Sequence, residues 1–139
     1  NNKLQHVVSP GTHTFVVDGE GSSLMKAKVV AGKSYYAKIS YRPGIILDRF
    51  ALVAMHGQDA RTAMKDCMDI PTVHNVPAAQ TWFNAHIDTM QGKLNDAKKS
   101  FRANRKASKS EVPYFESNDV FTIEPGDGID LYRDPNFRR

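Results

Sequence analysis

The feature that most constrains this chain is the run over residues 9–44, where turn residues recur at short intervals and cut the sequence into strand-length pieces. Pro10-Gly11 specifies a type II turn, because proline sets φ at the second turn position and glycine accepts a positive φ at the third. After it His13, Phe15 and Val17 alternate with Thr12, Thr14 and Val16, the period of two that gives a strand unlike faces. Asp18-Gly19-Glu20-Gly21 ends that strand. A second strand is expected over residues 24–30, with Leu24, Lys26 and Lys28 on one face and Met25, Ala27 and Val29 on the other. Ala31-Gly32-Lys33 turns the chain into a third over residues 33–41, which Arg42-Pro43-Gly44 closes. Strands this short between turns this regular predict antiparallel pairing.

Residues 3–8 alternate weakly and predict a strand leading into the Pro10-Gly11 turn. Residues 46–55 are apolar on both faces from Phe50 onward, which predicts a central strand covered on each side. Asp59 is placed to cap a short helix over residues 59–68, whose stripe holds Ala60, Ala63, Met64, Cys67 and Met68. Pro71 stops it. Asn75 and Pro77 open a second helical pattern. There Ala79, Phe83, Ile87, Met90, Leu94, Ala97 and Phe101 recur every three or four residues, and Trp82 and His86 flank them. The pattern predicts one helix over residues 77–104, about 40 Å long at 1.5 Å per residue, with Gly92 able to allow a bend. A polar linker at residues 107–113, a strand near residues 120–123 and a Glu124-Pro125-Gly126-Asp127-Gly128 turn follow.

The expected fold is α+β: a mainly antiparallel β-sandwich or compact sheet followed by a short and a long α-helix. Residues 1–57 form the sheet core. Residues 58–106 form helices packed on it or overhanging it, and residues 107–139 a linker, strand and tail. With 139 residues, 40% of them hydrophobic and 24% charged, one buried core is feasible. The net charge of +4 is too small to imply nucleic acid. Cys67 is the only cysteine, which excludes an internal disulfide and a cysteine-based zinc site. No run approaches the roughly 18 apolar residues of a membrane span.

Two motifs, Pro10-Gly11-Thr12-His13 and Ala31-Gly32-Lys33-Ser34-Tyr35-Tyr36, resemble those of a group of bacterial envelope domains, mostly lipoproteins, related to the PEGA-type surface modules. The resemblance implies a small β-sandwich at the cell envelope and no catalytic residues. It also implies a periplasmic location with an outer-membrane anchor, held through an N-terminal segment that this sequence, beginning Asn1-Asn2, does not include.

No catalytic constellation is legible. The histidines His6, His13, His56, His74 and His86 show no pair spacing on one helix face and no H-E-x-x-H. Neither a G-x-S-x-G elbow nor a G-x-x-x-x-G-K-[ST] loop occurs. Glu124, Asp127 and Asp130 lack the alternating ladder of a calcium loop and read as a hairpin turn. Cys67, between Met64 and Met68 on an apolar stripe, reads as core. The reading is therefore no enzyme, no metal, no cofactor, no small-molecule substrate and no nucleic-acid partner. A small hydrolase using Cys67, and a free-standing module binding glycan or peptidoglycan, are the alternatives. The expected role is a structural or adaptor subunit docking onto protein subunits of an envelope assembly, such as a secretion system, with an anionic membrane surface as a further contact. The expected contact residues are Leu94, Lys98, Lys99, Phe101, Arg102 and Arg105 on the overhanging helix, and Tyr132 and Phe137 in the tail. The basic cluster by itself reads first as a solvated helix end, where cations oppose the negative end of the dipole.

Overall fold

A computed structural model describes residues 2–19, 22–42, 49–73, 77–107 and 122–130. Among them the chain is mixed α and β, with three helices and several sheets of few strands. Strands β2 (Gly11–Val17) and β3 (Ser23–Val29) pair antiparallel from Gly11↔Val29 to Val17↔Ser23. Gly11 and Gly32 take the positive φ that their turns require, 135° and 74°. Strands β4 (Ala37–Arg42) and β5 (Arg49–Ala54) form a separate antiparallel pair. The third expected strand thus starts later than predicted, and Ser34 makes an isolated bridge to Ile129 instead.

Strand β3 is the centre of the molecule because its two faces meet different partners. Met25, Ala27 and Val29 are buried with Ala54 of β5 and with Ile123. Val8, Phe15, Tyr35 and Leu52 close that cluster. The amide of Leu52 donates to Ser23 Oγ at 3.4 Å, tying β5 to the start of β3. The opposite face presents Leu24, buried against Ala97 and Phe101, and Lys26, whose ammonium lies 5.5 Å from the Phe101 ring. Short β7 (Thr122–Ile123) adds to β3 in parallel, through Lys26↔Thr122 and Ala27↔Ile123.

Several expectations are corrected. The first strand is only β1 (Lys3–Leu4), and its partner is β6 (Thr72–Val73) in parallel register. Lys3 is held there by its amide, which donates to the Pro71 carbonyl, and by its ammonium, which donates to the Cys67 carbonyl. Helix α1 (Gly57–Asp66) starts before Asp59. Gly57 takes φ of 50° and reverses the chain directly after β5, so His56 is the capping position and Asp59 falls in the first turn, with no side-chain cap. Residues 43–48, 74–76, 108–121 and 131–139, including Asn75, Val120, Tyr132 and Phe137, lie outside the described residues.

The long helix is two: α2 (Pro77–Ala85) and α3 (Ile87–Ala107). The break sits at His86, not at Gly92. There the His86 amide donates to Phe83 O at 3.1 Å, a tightened i→i−3 bond. That leaves the Trp82 carbonyl without its helical donor, and His86 Nδ1 lies 2.8 Å from it. The side chain thus replaces the bond that the backbone gave up, with Nδ1 as the donor.

Helix α1 buries Ala60 and Met64 against Ile129, with Tyr36 and Met55 beside them. Burial raises the Tyr36 phenol above its ordinary value near 10, and the charge of nearby Cys67 raises it further. The unfolded chain therefore releases this proton first. Protonated Tyr36 gives its full contribution to stability below the unfolded value, and that contribution is lost as pH rises through the higher folded value. Tyr36→Phe is expected to flatten the alkaline fall in stability, measured by denaturant titration between about pH 8 and 11. An unchanged slope would assign that fall to other groups.

Candidate docking surface

The apolar stripe shared by α2 and α3 is divided in two. Its second half is internal: Ala97 is 1% exposed and Phe101 8%, both covered by Leu24 of β3, with Leu94 packed at their edge. Lys93 bridges to Asp18 at 2.8 Å and fixes α3 beside the β2–β3 connection. The overhang expected at Leu94, Ala97 and Phe101 is therefore not there. Phe101 is a core side chain, closed to a partner while the chain is folded.

Among the described residues the first half of the stripe is open. Helix α2 has no buried residue, yet it carries Trp82 at 52% exposure and Phe83 at 43%, and Ile87 at the head of α3 is 52% exposed. Trp82 and His86 stack face to face, ring centres 4.4 Å apart and planes 17° apart. Their spacing of four residues puts them one above the other on the helix, and the His86 contact to the Trp82 carbonyl fixes the imidazole in that stack. The remaining polar side chains of α2 also turn back on the helix. Gln80 Nε2 donates to Asn84 Oδ1 at 3.0 Å, and Thr81 Oγ1 donates to Pro77 O at 3.1 Å. From Pro77 to Ile87 there is no Lys, Arg, Asp or Glu.

The basic residues stand apart from this patch. Lys98, Lys99 and Arg102 are exposed, and Lys99 lies 3.9 Å from Asp96 on its own helix. Arg105 continues α3. Lys98, Lys99 and Arg102 occupy the half of the helix that β3 already covers, on its solvent side. Leu94, Lys98, Lys99 and Arg102 thus share a helix with the open patch but do not form it. Sequence reasoning placed Trp82 and Phe83 on or beside the stripe but assigned the free end to the wrong half. The available signal was the eleven-residue stretch without charge.

The chemistry-bearing side chains elsewhere are engaged in structure. His13 Nε2 lies 2.7 Å from Ser9 O, and its ring is 6.3 Å from that of Phe15. The acidic turn is a 3₁₀ turn (Pro125–Asp127) in which the Glu124 amide donates to Asp127 Oδ2 at 2.7 Å. Asp127 Oδ1 lies 2.9 Å from His56 Nδ1, so this carboxylate ties the turn to the start of α1. Cys67 is half-buried at the end of α1. Among the described residues no cluster of three His, Cys, Asp or Glu could hold a metal, and no helix is long and apolar enough to cross a membrane. No family model matches the chain, and no curated protein or solved structure shows significant similarity to it.

Proposed function

We propose that this chain is a non-enzymatic structural or adaptor subunit that docks, through α2, onto a protein of a larger bacterial envelope assembly. One observation carries the docking: a helix with no buried side chain holds Trp82 and Phe83 open beside Ile87. Exposed apolar patches mark interaction sites, and aromatic side chains dominate interface energetics. The envelope setting, with a periplasmic location, rests on the resemblance carried by Pro10–His13 and Ala31–Tyr36. The apposition of β3 and β5 across Met25, Ala27, Leu52 and Ala54 supports reading the strands as a reduced β-sandwich.

Weak glycan binding is the second reading. It draws on Tyr41 and Phe50, 55% and 37% exposed and paired across β4 and β5. Their rings are tilted by 58°, which offers a sugar no flat platform, so α2 is preferred. The test is site-specific incorporation of a photoreactive phenylalanine in intact bacteria of the source. At position 83 it is expected to yield a discrete high-mass adduct, and at position 99 none. Adducts at 99 and none at 83 would return the contact to the basic cluster and overturn the assignment.

A further inference from the structure

We draw no further inference here: the strongest candidate, the exposed basic surface where β3 meets α3 at Lys26, Lys28, Lys98 and Arg102, carries nothing because nothing in the structure shows what covers it, and the exposed apolar face of α2 belongs to the site already described.

Discussion

Phe101→Ala is expected to destabilise the fold by about 3–5 kcal/mol, whereas Phe83→Ala on the same helical stripe should change stability by no more than about 0.5 kcal/mol. The two phenylalanines look alike in the sequence. Phe101 is 8% exposed and locked between Leu24, Ala97 and the Lys26 ammonium. Its truncation removes buried area, leaves a cavity under β3 and abolishes a cation–π contact of about 0.5–1 kcal/mol. Phe83 is 43% exposed on a helix that buries nothing. Small domains have only about 5–15 kcal/mol of net stability, so the first variant should melt far below the second. Denaturant titration of both measures the difference. Equal losses would mean that the stripe is covered along its whole length.

Gly128→Ala is expected to cost about 1–3 kcal/mol through overpacking, while Gly126→Ala, two residues away, should stay within about 0.5 kcal/mol. Neither glycine has a positive φ, so the contrast is steric. A Cβ on Gly128 would lie 2.7 Å from Lys33 Cδ and Tyr35 Cζ and 2.9 Å from Lys33 Cβ; one on Gly126 would meet nothing within 4 Å. The Tyr35 ring cannot readily move, because its hydroxyl accepts from the Val30 amide at 3.0 Å. The Lys33 Cβ is fixed by the backbone beside the Ser34–Ile129 bridge, whose two hydrogen bonds are 3.0 and 2.9 Å. The clash therefore acts on a strap: Thr122–Ile123 pairs with β3, Ile123 and Ile129 enter two separate clusters, and Asp127 reaches His56. Thermal melts of the two alanine variants compare them directly. A neutral Gly128→Ala would show that the strap shifts freely on the Lys33–Tyr35 turn.

How much of this was legible depended on whether the signal was local. Period-two alternation gave β2 and β3, and the opposed faces of Leu24 and Met25, because a strand with two unlike environments writes them alternately along the chain. Gly11 and Gly32 announced their turns because few other residues tolerate positive φ. Pairings such as Lys3–Leu4 with Thr72–Val73, and Thr122–Ile123 with β3, span two residues each and carry no periodicity. Their partners are set by long-range contacts. The break at His86 was hidden for a different reason: the apolar stripe continues through it, and the lost backbone bond is made good by an imidazole. The covered half of the stripe was illegible because it depends on where Leu24 meets the helix, which is a tertiary fact. Hence the stripe alone predicts an exposed Phe101, whereas the fold buries it and leaves Trp82, Phe83 and Ile87 exposed.

Among the described residues the first half of this stripe stays exposed, at Trp82, Phe83 and Ile87. Trp82 is the only tryptophan, so its fluorescence reports on α2 alone. The purified, dilute protein is expected to show the red-shifted emission of a solvated indole, quenched by acrylamide nearly as readily as a free tryptophan derivative. In the crosslinked complex, selectively excited, the same emission should shift to the blue and resist quenching. A blue-shifted, protected Trp82 in the isolated protein would contradict the account, because α2 would then be folded against its own chain with no open face to offer.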